Sequence, residues 1–454
     1  MKRFLCLCLA LLTVLFATIS CADSTENNDT AGSSATESPE TEAKAESQTE
    51  AQTESEIEEP VVIKEYDLTK FTIVYDTLTN MDIAKKVKQR FRQEMNIDLP
   101  IVRSNPSSVA EFEFLIGNCD RDISKACFNY KESKYLTSKG IFVDNGKIQL
   151  LGIDRITIDS SIDYLFETVL TAGSNTVSLP EKGADAVEVT NASLSIPERE
   201  GDNTIRFVSN NILQQGLNNS ATRITDLLGA FIRYDADILA LQEVDSGWNT
   251  TQKLEQRLGE LGYALSPNEL QTDIYYKVDR FEFVDGGHVM YDLKGLPVTT
   301  ARAYSWACLK DKQTGKKLIV TCTHFIAGSG NDLELHRQRC AELLVEASST
   351  LMEKYGADGV VMAGDFNCNR TSKAYEIMAT GLNSARELAN SRVNMEYKTS
   401  CSVGKAPAVE ADKAIDHIFY TKTGVTAKHF EAIVTPTSYA YSDHVPVILD
   451  FELN

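Results

Sequence analysis

From residue 203 to the C-terminus, short apolar runs alternate with amphipathic helical stretches, and this alternation constrains the fold more than any other feature of the sequence. The runs that predict strands are 204–208, 238–242, 316–323, 359–363, 414–420 and 444–451. The stretches that predict helices are 222–234, 251–261 and 332–355. Because each apolar sheet face needs cover, this mixture predicts an α/β domain over 203–454, with two packed sheets and helices outside them.

Residues 61–194 predict a smaller α+β domain ahead of it. Its predicted elements are, in chain order, a strand at 71–75, a helix at 81–95, a strand at 112–117, a hairpin at 140–153 and a helix at 156–172. The phrase Leu115-Ile116-Gly117-Asn118 and the hairpin and helix after it resemble the small non-catalytic α/β domain that precedes the catalytic domain of some secreted glycoside hydrolases. The segment contains no catalytic constellation. We therefore interpret it as an accessory domain and a candidate for binding a glycan or a protein.

The N-terminus carries an export signal. A positive pair of residues and an apolar run too short to span a bilayer comfortably predict a signal peptide over residues 1–20. Cys21 follows a small residue and resembles the lipidation site of a bacterial lipoprotein, which would anchor the mature protein to a membrane. Two alternatives stay open, namely plain secretion after cleavage behind Ala22 and a retained membrane anchor. Lipidation and secretion both place the mature protein outside the cytoplasm, at the cell surface or beyond it.

Residues 21–60 consist mostly of Ser, Thr, Glu, Ala and Gln, so we expect a disordered acidic tether. This segment contributes a large share of the formal net charge of -20. No basic patch dominates the remaining sequence, which argues against sequence-independent binding to polyanions as the main task. Hydrolysis of a polyanion is still compatible with this charge, because a divalent metal and local Lys and Arg residues can screen it.

The ten cysteines form neither a disulfide framework nor paired CxxC motifs for zinc. Beyond Cys21 they are widely and irregularly spaced, and we interpret them as thiols of the core. Cys119 and Cys127 are the pair near enough in sequence to suggest a bridge.

Six polar phrases lie at the predicted C-terminal ends of apolar strands, where an enzyme built on sheets exposes its functional side chains. They are Ser209-Asn210-Asn211, Gln242-Glu243, Thr323-His324, Gly364-Asp365-Phe366-Asn367, Asp416-His417 and Ser442-Asp443-His444. Any one of them is weak, because an isolated Asp-His pair is more often a turn or a surface hydrogen bond. Six in this order indicate a site.

The set resembles the endonuclease/exonuclease/phosphatase (DNase-I-like) family, in matching order across nearly all of 203–454. The most specific matches are Leu-Gln-Glu-Val at 241–244, Gly-Asp-Phe-Asn at 364–367 and Ser-Asp-His-Val-Pro-Val at 442–447. The resemblance implies a four-layer α/β sandwich, in which two mixed sheets pack together between helices. It also implies a hydrolase of phosphoric esters that depends on a divalent metal.

By this resemblance Glu243 is the principal metal-binding carboxylate, Asp443 is a second carboxylate beside the metal, and Asn211 holds metal or phosphate. Oxygen ligands of this kind suit Mg²⁺ or Mn²⁺, whereas zinc prefers more His or Cys. A hard cation held in this way neutralises the phosphate charge and fixes the geometry for in-line attack by water.

The same resemblance assigns catalytic roles. His324 is implied to hydrogen-bond the scissile phosphate, and Asp365 and Asn367 to position the nucleophilic water and the phosphate oxygens. His444 is the implied catalytic histidine, oriented and charge-balanced by Asp416. A histidine backed by a carboxylate can transfer protons near neutrality and can stabilise the transition state when protonated. The sequence leaves open whether His444 or Asp365 accepts the proton of the water.

Two further residues have an alternative interpretation of nearly equal or greater weight. Arg302 lies where the family often has an arginine near the phosphate, but a surface or core-capping arginine fits almost as well. Many members have a catalytic Glu before the strand that corresponds to 272–276. Glu269 is the carboxylate nearby, and a solvated loop charge explains it slightly better.

The sequence therefore predicts a Mg²⁺- or Mn²⁺-dependent phosphoesterase, with a nuclease or phosphodiesterase acting on extracellular nucleic acid ranked first. A sphingomyelinase-like enzyme and an inositol- or sugar-phosphate phosphatase are alternatives that use the same site. A catalytically weak surface lipoprotein that binds glycans is the alternative from another class. It fits less well, because Glu243, Asp365, Asp443 and His444 are all present.

Overall fold

The described part of the chain comprises residues 62–76, 78–129, 135–188, 198–218, 223–268 and 270–454 of a computed structural model. The predicted signal peptide, the tether at 21–60 and the lipidation site Cys21 lie outside these residues, and so does Glu269. Residues 60–454 belong to one compact unit.

The N-terminal part of this unit contains a mixed sheet and a short strand pair. Its strands are β1 (Ile63–Asp67), β2 (Phe71–Tyr75), β3 (Ile101–Arg103), β4 (Phe112–Ile116), β5 (Ser138–Asp144), β6 (Lys147–Leu150), β7 (Thr176–Pro180) and β8 (Lys182–Glu188). Its helices are α1 (Leu78–Arg90), α2 (Asp122–Cys127) and α3 (Arg155–Tyr164). The strand order is β3-β2-β4-β6-β5-β8, with β3, β2, β4 and β6 parallel, and β1 pairs with β7.

The C-terminal part contains two larger sheets with helices against them. Its strands are β9 (Ile205–Asn211), β10 (Ile238–Gln242), β11 (Tyr263–Leu265), β12 (Thr272–Lys277), β13 (Phe281–Met290), β14 (Ala303–Asp311), β15 (Lys317–His324), β16 (Gly359–Asp365), β17 (Asn383–Ser384), β18 (Ser391–Val393), β19 (Asp416–Tyr420), β20 (Val425–Ala432) and β21 (Val447–Leu453). Its helices are α4 (Arg223–Tyr234), α5 (Leu254–Glu260), α6 (Asn331–Tyr355), α7 (Lys373–Gly381), α8 (Ala385–Leu388) and α9 (Ser438–Tyr441).

The two sheets pack face to face around one apolar core, as the alternation of the sequence requires. One sheet has the order β11-β12-β10-β9-β21-β20-β18, and the other has the order β13-β14-β15-β16-β19-β17. Successive side chains of a strand point to opposite faces, so Phe207 lies in the core between the sheets while Val208 faces the outer helical layer. On the other sheet, Val361 lies in the same central core, and Met362 packs toward α6 and α7. The observed sheets and helices confirm the predicted α/β fold class, with packed mixed sheets flanked by helices.

Two predicted boundaries differ from the structure for local reasons. The strand predicted at 444–451 begins only at Val447, after Pro446, which has no N–H group to contribute to a ladder. The helix predicted at 251–261 is divided into a π-helical turn, Gly247–Thr251, and α5. The division falls near Lys253, whose backbone is left-handed with a φ of 53°.

The N-terminal and C-terminal parts share a buried contact, which we call the seam. Phe128 and Ile153 lie in the same apolar cluster as Leu227 and Phe231 of α4. The seam also contains the charged side chains of Asp154, Asp226 and Arg233, which are buried, the half-exposed Arg155, and one glycine, Gly229. Asp154 contacts Arg233. Asp226 forms an ion pair with Arg155, in which Oδ2 of the carboxylate lies 3.0 Å from Nη2 of the guanidinium.

Gly229 is required where α4 approaches Asp154. A Cβ at residue 229 would lie 2.6 Å from the Cβ of Asp154, which is closer than real contacts allow. Side-chain packing therefore fits the N-terminal part to α4 of the C-terminal part. The boundary between the domains predicted at 61–194 and 203–454 stays a prediction.

The seven cysteines within the described residues are free thiols, and six of them are buried. Cys119 and Cys127 are both buried and are not bridged, which agrees with the interpretation as core thiols. Within the described part of the chain, no helix has the length and apolar character needed to cross a membrane.

Candidate active site

The polar phrases converge at one edge of the sandwich, which we call the catalytic edge. The residues concerned are Asn211, Glu243, His324, Asp365, Asn367, Asp416, Asp443 and His444. Parallel pairing of β9 with β10 places Asn211 beside Gln242, directly before Glu243. Parallel pairing of β15 with β16 places His324 beside Asp365. Neighbouring strands thus deliver these side chains to the same edge of their sheets.

Two of the six phrases precede a strand, contrary to the prediction that all of them follow one. Asp416 is the first residue of β19, and His444 comes before β21. Both strands run antiparallel to their neighbours, so their N-terminal ends meet the C-terminal ends of β16 and β9. Asp416 therefore pairs directly across from Asp365.

Asn211 connects the carboxylates of the two sheets. Its Oδ1 accepts a hydrogen bond from the backbone N–H of Leu213 at 3.0 Å, which directs its amide nitrogen into the site. That nitrogen donates to Oε1 of Glu243 at 3.0 Å and to Oδ2 of Asp365 at 3.2 Å. The second oxygen of Glu243 accepts from the backbone N–H of Gln214 at 3.0 Å. In this arrangement Asn211 acts as a donor, and its predicted role as a direct metal ligand stays a prediction.

His444 lies between two carboxylates. Its Nδ1 is 2.8 Å from Oδ2 of Asp416, and its Nε2 is 3.8 Å from Oδ2 of Asp365. Burial opposes a charge on the ring, but Asp416 and Asp365 outweigh it and raise the pKa of His444 to about 10. At neutral pH the ring is therefore an imidazolium, with a proton on the nitrogen that faces Asp365.

His324 and Asn367 complete the surroundings of Asp365. The Nε2 atom of His324 lies 3.4 Å from Oδ2 of Asp365. The backbone N–H of Asn367 donates to the other oxygen, Oδ1, at 2.9 Å, and its side-chain amide donates to the carbonyl of Phe325 at 3.1 Å. Both histidines and Asn211 thus direct nitrogen atoms toward one carboxylate oxygen.

Glu243 and Asp443 have the features of ligands for a divalent cation. Burial raises the pKa of the Asp443 carboxyl, His444 lowers it, and the nearby charge of Glu243 raises it again. Oδ1 of Asp443 is buried and has no hydrogen-bond partner within the part of the chain that the structure describes. A buried carboxylate oxygen without a partner, next to a second carboxylate, fits a hard cation with oxygen ligands.

Asp365, Asp416 and His444 also place possible ligand atoms within 4.8 Å of one another. We interpret this group as a hydrogen-bond relay, because Nδ1 of His444 is already engaged by Asp416. A protonated imidazole has no free lone pair for a metal. The donor set that fits a cation is the pair Glu243 and Asp443.

Two residues of the catalytic edge have a left-handed backbone. Glu243 has a φ of 65° and Asn367 has a φ of 46°, in the left-handed region that non-glycine residues seldom adopt. Such conformations persist where surrounding contacts fix them, and they cluster at functional sites. Here they turn the Glu243 carboxylate toward Asn211 and the backbone N–H of Asn367 toward Asp365.

Arg302 and His417 lie apart from this network. Arg302 is half-buried, and its Nε atom has no hydrogen-bond partner among the described residues. Its charge instead opposes the rise that burial causes in the pKa of the Cys340 thiol. His417 points to the opposite face of β19, where it packs against Phe366 and Tyr375, and burial lowers its pKa to about 4. No contact joins Arg302 to the catalytic edge in the described ranges, and its phosphate role stays a prediction.

A sequence model of the endonuclease/exonuclease/phosphatase family matches residues 211–444. The chain belongs to this family. The match begins at Asn211 and ends at His444, so it encloses the whole catalytic edge. Members of the endonuclease/exonuclease/phosphatase family hydrolyse phosphoric esters and in general depend on a divalent metal.

The curated relatives include nocturnin from Homo sapiens, which is 25% identical over 249 residues, or 50% of this chain and 56% of the relative. The chain thus spans a little over half the length of the curated relatives it matches. A family structure from Bacteroides vulgatus is 25% identical with a TM-score of 0.47, covering 56% of this chain and all of that one. A mannosyl-6-phosphatase from Bacteroides thetaiotaomicron is 20% identical with a TM-score of 0.45, covering 54% of this chain and 99% of that one.

One positioning residue of this family member was absent from the sequence prediction. The buried guanidinium of Arg223 donates to the carbonyls of Ile212 and Leu213, in the loop that follows Asn211. It also donates to the carbonyl of Tyr441 at 2.6 Å, directly before the phrase that holds Asp443 and His444. Arg223 therefore ties together the first and the last polar phrase of the catalytic edge.

A third loop is joined to the same guanidinium. Arg223 stacks over the ring of Trp248 at 4.7 Å, and the indole N–H of Trp248 donates to the carbonyl of Leu213 at 3.0 Å. Trp248 lies in the loop that follows Glu243. The signal in the sequence was an arginine on the apolar face of a helix, four residues before Leu227 and eight before Phe231.

Thr399 was also absent from the prediction. Its Oγ1 accepts from the backbone N–H of Asp416 at 3.1 Å, and its carbonyl accepts from Val445 at 2.8 Å. It thereby holds Asp416 and the segment of His444 at a fixed separation. No sequence pattern marks this threonine, because its partners are distant in the chain.

Proposed function

We propose that this chain is a divalent-metal-dependent hydrolase of phosphodiesters. The observation that carries the proposal is the convergence on Oδ2 of Asp365. Nitrogen atoms of Asn211, His324 and His444 lie 3.2, 3.4 and 3.8 Å from this single oxygen. A carboxylate surrounded by donors of this kind can hold a water molecule beside an anionic phosphate.

A cation bound by Glu243 and Asp443 would act as a Lewis acid on the phosphate and neutralise its charge. Asp365 is the group placed to accept the proton of the attacking water, since its Oδ2 faces the centre of the edge. His444, held as an imidazolium by Asp416, stabilises negative charge on the phosphoryl oxygens and can return a proton to the leaving oxygen. His324 and Asn367 orient the phosphate oxygens.

The choice of a diester over a monoester follows the ranking made from the sequence, in which a nuclease or phosphodiesterase comes first.

Extracellular nucleic acid is the substrate class we rank first, and the site resides at the cell surface if Cys21 is lipidated. This placement is supported by the export signal at 1–20 and by the small residue before Cys21. Metabolic labelling with a fatty acid tests it, and we expect label on the wild-type protein and none on Cys21→Ser. Equal label on both proteins would contradict lipidation at this cysteine.

Hydrolysis by the purified protein tests the activity. The substrates are plasmid DNA, RNA, sphingomyelin, bis(p-nitrophenyl) phosphate and p-nitrophenyl phosphate, each with Mg²⁺, Mn²⁺ or EDTA. We expect metal-dependent cleavage of diesters, an approximately 10²- to 10⁴-fold slower rate for His444→Ala, and no change for His288→Ala as a control. Absence of cleavage with either metal, or a preference for the monoester, would overturn the proposal. Cleavage of sphingomyelin alone would move the substrate class to phospholipids.

A further inference from the structure

A cavity of about 280 Å³ lies beside the seam and is lined by residues of both the N-terminal and the C-terminal part. One wall consists of residues at the carboxyl ends of β2, β3 and β4, among them Asp76, Ser104 and Asn118. The opposite wall belongs to α5 and includes Lys253 and Arg257. No residue of the catalytic edge lines this cavity.

The position of the cavity follows from the order of the strands. β2 lies between β3 and β4, and all three are parallel. The chain leaves β2 toward β3 on one side and afterwards enters β4 on the other side. At such a reversal the connections diverge and leave a crevice outside the carboxyl ends of the strands, which is where open α/β sheets bind small ligands.

The sheet side of the cavity is a fixed hydrogen-bonding wall. The Asp76 carboxylate accepts from the side-chain amide of Asn80 at 2.7 Å and from the backbone N–H of Asn118 at 2.9 Å. Asn80 is 2% exposed, and its Oδ1 has no hydrogen-bond partner among the described residues. Gly117 allows this close approach, because a Cβ there would lie 2.2 Å from the Asn80 amide nitrogen.

The helical side of the cavity presents a free cation. The Lys253 side chain is exposed and has no partner within the described part of the chain, although Lys253 adopts the left-handed φ of 53° at the start of α5. Next to it, the Arg257 guanidinium donates to the carbonyl of Gln252 at 3.1 Å.

The cavity lining carries charges of both signs, which disfavours a ligand with a net charge. The carboxylates of Asp76, Asp120 and Glu260 stand against the cations of Lys253 and Arg257. An anion would meet the carboxylates, and a cation would meet Lys253 and Arg257. A neutral ligand with many hydroxyl groups can use donors and acceptors of both kinds without such a penalty.

The floor of the cavity is apolar. Phe128, Ile153 and Leu228 line it and are 7%, 3% and 1% exposed. A ligand that suits both the floor and the walls has C–H groups on one face and hydroxyl groups around its rim. A sugar ring has this distribution, and the volume is sufficient for one such ring with part of a neighbour.

We propose that this cavity is a binding site for a sugar residue, in addition to the phosphodiester site. A free monosaccharide and the terminal residue of a glycan share the required chemistry. Because the cavity and the catalytic edge have no residue in common, sugar binding and hydrolysis are separable properties of the chain.

Saturation-transfer NMR and calorimetry on the purified protein test the proposal. The probes are glucose, galactose, mannose and N-acetylglucosamine, together with their methyl α- and β-glycosides. We expect at least one of these sugars to bind. A glycoside that binds as well as the free sugar identifies a glycan terminus, whereas loss of binding on methylation identifies a free monosaccharide.

Two surface variants locate the bound sugar. Lys253→Ala and Asp120→Asn are expected to weaken binding at least about 10-fold, since each removes a charged hydrogen-bonding group. Lys125→Ala and Asp122→Asn change the same residue types outside the cavity and should bind as the wild type does. His444→Ala should bind sugar normally, and the two cavity variants should hydrolyse diesters normally, so failure of one site is distinguishable from failure of the other. If no probe binds, or if both cavity variants bind as tightly as the wild type, the proposal is wrong.

Discussion

The catalytic edge and the seam are both buried and both built from charged side chains, but they balance charge in opposite ways. In the seam, Asp154 has Arg233 and Asp226 has Arg155. At the catalytic edge, Asp365 and Asp416 share the cationic ring of His444, and neither Glu243 nor Asp443 forms an ion pair among the described residues. A region in which each charged side chain has a partner of opposite charge stabilises the fold. A region that leaves acidic groups in excess is suited to receive a cation and a substrate.

The largest effect is expected from Asp416→Asn. The substitution keeps the shape of the side chain but removes the charge that holds His444 as an imidazolium. We expect kcat for a diester to fall about 10²- to 10⁴-fold while the protein stays folded. Asp412→Asn, an exposed carboxylate near the same strand, should retain full activity. Equal rates for the wild type and Asp416→Asn would show that charge at the catalytic edge is no more important for activity than charge in the seam.

A smaller effect, on stability, is expected from Arg233→Met in the seam. The change leaves the buried carboxylate of Asp154 without its partner, so the free energy of unfolding should fall by about 3–5 kcal/mol. Urea unfolding measures it, and the specific activity of the folded fraction should be unchanged. The double variant Asp154→Asn/Arg233→Met should recover part of the loss. A double variant that is less stable than Arg233→Met would show that the pair is not the source.

Arg223→Lys is expected to affect both stability and metal binding. Arg223 is buried, and it donates to carbonyl groups of the segments that carry the catalytic edge. Lysine keeps the charge but cannot reach all of these carbonyls. We expect a loss of about 2–3 kcal/mol in stability together with weaker Mn²⁺ binding, measured by calorimetry. Arg280→Lys is the matched control, since Arg280 is a buried arginine that pairs with Asp311 at 2.9 Å. It should lower stability and leave Mn²⁺ affinity unchanged; the same loss of affinity in both variants would reduce Arg223 to a structural residue.

The smallest effect concerns pH. Burial raises the pKa of Asp226 from 3.8 to about 6, against the opposing charge of the half-exposed Arg155. The neutral acid therefore stabilises the fold below about pH 4, and this contribution is lost as the pH rises through 6. Between pH 4 and pH 8 the wild type should lose about 2 kcal/mol of stability that Asp226→Asn does not lose. Asp82→Asn, exposed on α1, should follow the wild type. Parallel curves for Asp226→Asn and the wild type would contradict a raised pKa.

The same comparison shows what the sequence could predict. The phrases at Glu243, Asp365 and His444 are short sequence motifs, and each follows or precedes an apolar run. Their position at the ends of strands could therefore be predicted from the sequence. Strand β10 was predicted with its observed bounds. The antiparallel entry of Asp416 was not, because the direction of β19 depends on its pairing with β16 rather than on its own residues.

The seam and Arg223 depend on segments that are distant in sequence. Arg233 could be recognised as a buried ion only once Asp154 was placed against α4. In the helix pattern both Arg223 and Arg233 interrupt an apolar face, and that interruption alone does not say whether the partner is a carboxylate, a carbonyl or solvent. Packing decides this, and packing is set by the whole chain.

The pairing of β9 with β21 has a consequence for the newly made chain. β9 is the first strand of the catalytic sandwich and β21 is the last, yet they are neighbours in one sheet. Asn211 at the end of β9 and the segment with Asp443 and His444 before β21 come together only when β21 has paired with β9. A chain that stops before β21 lacks the complete catalytic edge, so we expect it to be without the proposed hydrolytic activity and to have an open edge on β9 that exposes it to aggregation.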